Sequence, residues 1–223
     1  MVGNKHAFWQ ALVFTVIVFI FGLLIGFFLE GYSADKIEQN LAQSEINVLD
    51  EQLRGDVIDN FDVDCSLAKE NLFEFADNVY YEALKLESID ETDKFDRGFK
   101  LLHKKYDLLR LMIWQEAIDL KDNCDSEFNS IVYIYSYEDV ENDFQRAAIQ
   151  KTYSRILGQL KANYPEDVLL IPIAGDMDLA SVDLILDSFG IEELPVIIVN
   201  EERIISGVPT YDELEKVVLE SNN

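Results

Sequence analysis

Cysteine, histidine and proline are scarce in this chain, which has two, two and four of them in 223 residues. Cys65 and Cys124 belong to no CxxC pair, and with only two histidines in the sequence they form no zinc-type cluster. All four prolines lie at or after Pro165, so the residues before it are free to be helical.

Basic residues are also few, because 18 lysines and arginines stand against 43 aspartates and glutamates, a net charge of −25. Such an acidic surface argues against nucleic-acid binding, since contacts to phosphate come mainly from lysine and arginine. It argues equally against a polybasic patch on anionic lipid. The charge keeps an exposed domain soluble and by itself demands no basic partner.

Signatures of catalysis are missing from the sequence. It contains no Gly-rich phosphate loop, no G-x-S-x-G elbow and no HExxH motif. Asp176 and Asp178, in the segment AGDMD, have no histidine or further carboxylate arranged around them, so we interpret them as loop and helix-cap residues. The sequence therefore predicts no catalytic residue, no metal and no cofactor.

The longest apolar run covers residues 7–29 and has no charged side chain. At ~1.5 Å per residue, a helix of this length crosses a hydrocarbon core of ~30 Å. A cleaved signal peptide has a shorter apolar region and small residues at its cleavage site, whereas residues 27–29 are bulky and Glu30 is charged. A buried soluble helix would need a large core around it, which the polar remainder cannot supply. We interpret residues 7–29 as an uncleaved single-pass anchor in the lipid bilayer.

The flanking charges predict the orientation of this anchor. Lys5 and the α-amino group precede the run, and positive residues favour the cytoplasmic side. The predicted location is the cell membrane, with the N-terminus cytoplasmic and residues 31–223 extracytoplasmic.

Residues 33–60 are predicted to continue the anchor as a helical stalk. Ile46, Leu49, Leu53 and Val57 recur at three- and four-residue spacing on a charged background. We interpret this stripe as packing within the chain, and pairing with a second chain in a homo-oligomer stays open.

Two further helices are predicted over about residues 67–87 and 93–122, both with apolar residues at helical spacing. Short connections make consecutive helices antiparallel neighbours, so the stalk and these two helices form a bundle. His103, beside three lysines, is assigned to a solvated face. Trp114 is assigned to the bundle core or to an edge that contacts the last domain.

The two cysteines fall at adjacent ends of the predicted antiparallel pair. Cys65 begins the second helix and Cys124 follows the third, within reach of the ~5.5 Å Cα separation of a disulfide. The alternative is two unrelated buried thiols. We predict a structural Cys65–Cys124 disulfide, which agrees with an exported domain.

Strands and helices alternate in the last part of the chain. Strands are predicted at residues 130–136, 168–174, 195–200 and 203–206, with helices at 140–162, 179–189 and 210–220. The first of these helices is predicted to turn Phe144, Ile156 and Leu160 inward. The order β-α-β-α-β-β-α resembles the thioredoxin fold over about residues 129–221. The resemblance is closest in GIEELPVIIVNEERIISGVPTYDELEKVV, where Pro195 matches the family's cis-proline, Leu194 the residue before it and Gly207 the glycine after the hairpin.

The redox centre of that family is not present in this sequence. Thioredoxins carry a CxxC between the first strand of this unit and the next helix, whose N-terminus lowers the thiol pKa. The matching residues 136–142 read SYEDVEN and contain no cysteine. Dithiol exchange from this position is therefore excluded.

The resemblance still implies a binding face. In thioredoxin-like proteins the residue before the cis-proline offers its backbone to an extended peptide. Leu194 and Pro195, together with Tyr135 and Tyr137, would then bind a peptide or a partner protein. The alternative is that Pro195 starts a strand and the tyrosines cover the sheet edge.

The predicted fold is a mixture of α+β and α/β in three parts. Residues 1–32 form the N-terminal segment and transmembrane anchor, residues 33–125 an antiparallel helical stalk and bundle, and residues 126–223 a thioredoxin-like domain. The predicted function is that of a redox-inactive binding or scaffold protein at the membrane surface, such as a subunit of a membrane complex. The alternative is an accessory thiol–disulfide oxidoreductase or client-holding protein that uses Cys65 and Cys124.

Overall fold

A computed structural model describes residues 4–61, 63–93, 97–124, 126–137 and 143–220 of the chain. The chain divides into two compact units, Met1–Gln43 and Ser44–Asn223. Six helices and four strands lie in the described residues, which makes this a mixed α/β protein.

The first helix, α1, runs from Asn4 to Asn60. Its segment Phe8–Gly26 has a mean hydropathy of 2.5, and none of that segment is buried within the protein. The length and apolar composition of the segment suffice to cross a membrane, and both anchors and signal sequences have such a helix. The predicted apolar N-terminal helix is therefore confirmed.

Helices α2 (Cys65–Asp93) and α3 (Arg97–Cys124) pack against each other. Leu72 and Val79 of α2 and Leu109 of α3 are buried. The predicted disulfide is confirmed, because Cys65 and Cys124 are bonded with their Cα atoms 5.6 Å apart. Since the bond joins the first residue of α2 to the last of α3, the two helices run antiparallel.

The sheet has the strand order β2-β1-β3-β4. Its strands and the helices that follow them in the chain are β1 (Asn129–Tyr135), α4 (Phe144–Asn163), β2 (Val168–Ala174), α5 (Ala180–Phe189), β3 (Val196–Val199), β4 (Arg203–Ser206) and α6 (Tyr211–Glu220). Strand β1 pairs parallel with β2 and antiparallel with β3, and β3 and β4 form an antiparallel hairpin. Alternate β1 residues, such as Ile131 and Tyr133, face a core that includes Leu157 of α4 and Leu214 of α6.

Helix α3 is buried on a second side, where it meets the sheet. The Ala174 N–H at the end of β2 donates to the Asp107 carboxylate at 3.2 Å, which covers part of this edge strand. The indole of Trp114 stacks on Phe189 of α5 and donates to Glu201 in the β3–β4 turn at 2.7 Å. Trp114 thus contacts the last domain, one of its two predicted positions.

The predicted packing of the stalk within the chain is wrong for its apolar stripe. This stalk stripe consists of Ile46, Leu49, Leu53 and Val57. These four side chains are 43–62% exposed. The stalk instead contacts α3 through polar groups, because Arg54 donates to Glu51 of its own helix at 2.7 Å and to Glu116 of α3 at 2.5 Å. Helical spacing identified residues that share a face, but the buried face of the stalk is the one that carries Glu51.

Phe144 is a second correction, because it was predicted to face inward and is 89% exposed. The Asp143 carboxylate accepts from the N–H groups of Gln145 and Arg146 and caps α4. Phe144 therefore occupies the first helical position of α4. Residues 140–142, where the helix was predicted to begin, lie outside the described residues.

Replacing Leu49 and Leu53 together by serine should change the free energy of unfolding by no more than about 0.5 kcal/mol, because exposed side chains contribute little to stability. Leu72→Ser, at a fully buried position of α2, is the matched control and should destabilise by about 2–5 kcal/mol. Both values follow from urea unfolding of the full chain in detergent. A loss above 1 kcal/mol in the stalk variant would show that its stripe is buried in solution.

Candidate functional site

The carboxyl ends of the parallel strands β1 and β2 meet at one edge of the sheet, the usual place for a binding site in sheets of this kind. The Gly175 N–H donates to the Tyr135 carbonyl at 2.8 Å and closes this edge. Asp176 accepts from the Ser136 hydroxyl and from the Tyr137 N–H, both at 2.6 Å. Asp176 therefore lies in a loop, as predicted, and its hydrogen bonds join the two strand ends.

Helix α4 supports the same strand end through Gln150. The amide oxygen of Gln150 accepts from the Ser136 N–H at 2.8 Å, and its amide nitrogen donates to the Ser136 carbonyl at 3.0 Å. Both backbone groups of Ser136 are satisfied in this way. The residue that follows β1 is thus held rigidly without a further strand.

The predicted residues Leu194 and Pro195 lie at this edge as well. Their peptide bond is cis, as the resemblance implied. A Cβ atom placed on Gly175 would come within 2.6 Å of a Leu194 methyl carbon and 2.9 Å of Ile134, so only glycine allows Leu194 to approach the strand ends this closely. The structure therefore brings Leu194 beside the segment that contains Tyr135.

His103 joins these residues from α3, and its predicted solvated position is wrong. The side chain is only 9% exposed, its Nε2 lies 3.1 Å from the Tyr135 hydroxyl, and its ring centroid is 4.3 Å from that of Tyr137. Burial, with a smaller effect from the Arg110 charge, lowers the pKa of His103 to about 4. At neutral pH the imidazole is therefore uncharged and forms one hydrogen bond with the Tyr135 hydroxyl.

One turn further along α3 lies a buried ion pair. The Arg110 guanidinium is 3.1 Å from the Asp107 carboxylate, and the two side chains are 4% and 0% exposed. Burial raises the pKa of Asp107 to about 6, although the Arg110 charge opposes this shift. The pair places one positive and one negative side chain next to the end of β2, where Asp107 accepts from the Ala174 N–H.

Helix α3 has a second buried side that was not predicted from the sequence. The buried residues on its second side follow the helical spacing of four and three residues, and they are His103, Asp107, Arg110, Trp114 and Ala117. Lys121 continues the series and donates to Ser130 at 2.6 Å. A polar stripe with the same period as the apolar seam was the signal that could have revealed the second buried side.

The disulfide lies far from this site along α3. Cys124 comes 14 residues after Arg110, which at 1.5 Å per residue is about 21 Å along the helix axis. Neither cysteine can act at the strand ends while the helix is intact. The bond therefore has a structural position and the site has no thiol.

The contribution of His103 to the stability of the protein should be lost as the pH drops from 6.5 to 4. The pKa of His103 in the folded protein, about 4, lies below the ordinary value of 6.5, so the unfolded chain binds this proton first. The contribution is fully present above pH 6.5, and its loss on acidification amounts to about 3 kcal/mol at most.

Unfolding curves of the wild type and of His103→Gln at each pH would test this expectation. The glutamine can still bond to Tyr135 but does not titrate in this range, so subtraction removes the opposite effect of Asp107 and other shared groups. A difference between the two proteins that does not change with pH would contradict a buried neutral histidine.

The chemistry available at this edge is recognition through hydrogen bonds and ring contacts. The Ser136 hydroxyl donates to Asp176, and His103 is bonded to Tyr135, so these residues are not arranged as a nucleophile activated by histidine. In the described part of the chain, no group of three or more His, Cys, Asp or Glu could hold a metal ion. Compared with known protein families and with curated proteins, the chain matches none of them.

Proposed function

We propose that this chain is a membrane-anchored binding or scaffold protein whose thioredoxin-like domain has no redox activity. The single observation that carries the proposal is the composition of the strand-end site. Leu194 lies there beside the strand ends, Tyr135 is hydrogen-bonded to an uncharged histidine, and the two cysteines are bonded to each other toward the other end of α3. Such a site binds a partner and does not exchange disulfides with it.

The order and pairing of the elements support the thioredoxin-like part of the proposal. A parallel β1–β2 pair is followed by an antiparallel β3–β4 hairpin, and a cis-proline directly precedes β3. Leu194 lies beside the strand ends, and an extended peptide could pair with its backbone. We infer that the partner is a peptide or an exposed loop of another protein.

The apolar segment Phe8–Gly26 and the disulfide support a membrane-bound, extracytoplasmic location. Disulfides persist in oxidising compartments and are rare in the cytosol. With the apolar segment as an uncleaved anchor, the compact unit Ser44–Asn223 would stand outside the membrane. The same anchor would place the unit beside other membrane proteins, as expected of a subunit in a complex.

The rival function is that of an accessory thiol–disulfide oxidoreductase. One observation favours it, because Cys65 is exposed and a reductant could reach the bond. The remote position of the bond from the strand ends argues against it. Blocking free thiols before lysis and then reading the tryptic peptides by mass spectrometry separates the two functions. A fully formed bond supports the structural role, whereas a mixture that follows the redox buffer supports exchange.

Photocrosslinking in intact membranes tests the binding face. A photoreactive amino acid at position 194 should give a discrete adduct, whereas one at Leu184, which is 69% exposed on α5, should not. An adduct of twice the mass of the chain would identify a homo-oligomer as the occupant. Equal labelling from both positions, or none from 194, would reject this face.

Alkaline extraction of the membranes tests the anchor. Release of the full-length chain by alkaline extraction, or loss of its first residues, would reject the anchor.

A further inference from the structure

A cavity of about 260 Å³ opens at the outer edge of β2, between α2, α4 and the sheet. It lies on the face of the sheet covered by α4, because its wall includes Tyr133 and the paired residue Pro172. Ser154 of α4 is exposed and lines the wall, so the cavity reaches solvent beside it. The interior end is formed by Tyr133 and Arg110, which are 4% and 3% exposed.

The hydroxyl of Tyr133 is the unusual group in this cavity. It is buried and has no hydrogen-bond partner among the described residues. Burial, together with the neighbouring Tyr153, raises the pKa of Tyr133, so the hydroxyl keeps its proton and remains a donor. A buried donor without an acceptor is unfavourable, and a ligand that supplies the acceptor would remove this deficit.

The charge in the cavity indicates what kind of acceptor fits. Among the described residues of the wall, Arg110 is the only charged one, and its partner Asp107 does not line the cavity. A guanidinium and a phenol both donate hydrogen bonds, a combination that suits a carboxylate. One cation among aliphatic side chains such as Leu157 and Leu170 suits a single negative charge with an apolar body better than a phosphate.

We propose that this cavity binds a small carboxylate with an apolar body, such as an aryl or branched-chain acid. The carboxylate accepts from Arg110 and Tyr133, and the apolar part packs against Leu157 and Leu170. The volume lies just below the ~300–1,000 Å³ of sites for drug-sized ligands, which limits the body to one ring or one branched chain. A free acid and the last residue of a peptide present the same chemistry. The proposal does not depend on the strand-end binding face.

Isothermal titration calorimetry with the full chain in detergent micelles tests the proposal. The probes are phenylacetate, 3-methylbutanoate, their primary amides, and tripeptides that end in phenylalanine with a free or an amidated carboxyl group. At least one acid should bind, and its amide should bind at least tenfold more weakly, since hydrogen bonds to a charged group are stronger than neutral ones. Binding of the free-carboxyl tripeptide would identify a peptide end as the source, and binding of the small acids alone would identify a free acid.

Three variants locate the binding in the cavity. Tyr133→Phe should weaken the binding of the acid about tenfold, and Ser154→Trp, which obstructs the opening, should abolish it. Tyr81→Phe is the matched control, because Tyr81 is an exposed tyrosine next to Tyr80 and outside the cavity wall. The control should retain the wild-type affinity.

The melting temperature without ligand gives an independent reading. Tyr133→Phe should leave it unchanged or raise it, because the variant removes a hydroxyl that lacks a partner. A lower melting temperature would mean that ordered water satisfies the hydroxyl, and the proposal would be rejected. It would also be overturned if no acid bound, if acids and amides bound equally, or if Tyr133→Phe and Tyr81→Phe had the same affinity.

Discussion

Replacing Arg110 by methionine should destabilise the protein by about 3–5 kcal/mol, the usual consequence of removing one partner of a buried ion pair. Asp107 is fully buried and would keep only the Ala174 N–H as a described hydrogen-bond donor. Because burial already raises the pKa of Asp107 to about 6, the unpaired carboxyl would take up a proton at neutral pH. Urea unfolding of the full chain in detergent, followed through the buried Trp114, gives the change in free energy.

The double variant Asp107→Asn with Arg110→Met is the control for this interpretation. An asparagine oxygen can still accept from the Ala174 N–H, and the pair then leaves no buried charge. We expect the double variant to regain 1 kcal/mol or more of the loss, as buried pairs replaced by neutral groups often do. If the double variant were as unstable as Arg110→Met, the loss would come from packing and not from the unpaired carboxyl group of Asp107.

The helix pair and its disulfide could be predicted because they depend on local patterns. An apolar seam at helical spacing identifies α2 and α3, and a short connection makes them antiparallel, so the distant Cys65 and Cys124 must meet. The cis-proline was predicted on a different basis, the resemblance of the hairpin segment to a known fold. Each of these inferences needed only one stretch of sequence or one pair of neighbouring elements.

Predicting the site would have required information about contacts between elements that are distant in the sequence. Spacing shows that His103, Asp107 and Arg110 share one side of α3, but it does not show that the sheet covers that side. The adjacent lysines made His103 look solvated. The prediction for the stalk was wrong for the converse reason. Its apolar side chains are exposed, whereas Glu51, beside Arg54, is only 3% exposed. Polar groups become buried where partners exist, and the partners lie far away in sequence.

Replacing both Cys65 and Cys124 by serine should lower the free energy of unfolding by about 4 kcal/mol, which the chain-entropy model gives for a loop of this size. The bond closes a separation of 59 residues and joins the free ends of α2 and α3. Without it the unfolded chain gains conformations, whereas the folded pair keeps its apolar contacts. We therefore expect a lower urea midpoint with unchanged helical content in the folded state.

Adding a reductant to the wild-type protein is the natural comparison, because it breaks the same bond without changing a residue. The reduced wild type and the double serine variant should unfold at similar urea concentrations, and α2 and α3 should stay paired in both before the transition. A loss below 1 kcal/mol would mean that the unfolded chain is already restrained near the two cysteines, as residual contacts between the apolar faces of α2 and α3 would do. The bond would then serve mainly to keep the ends of the two helices together. Its reduction would have little effect on the strand-end site, which lies about 21 Å or more away along α3.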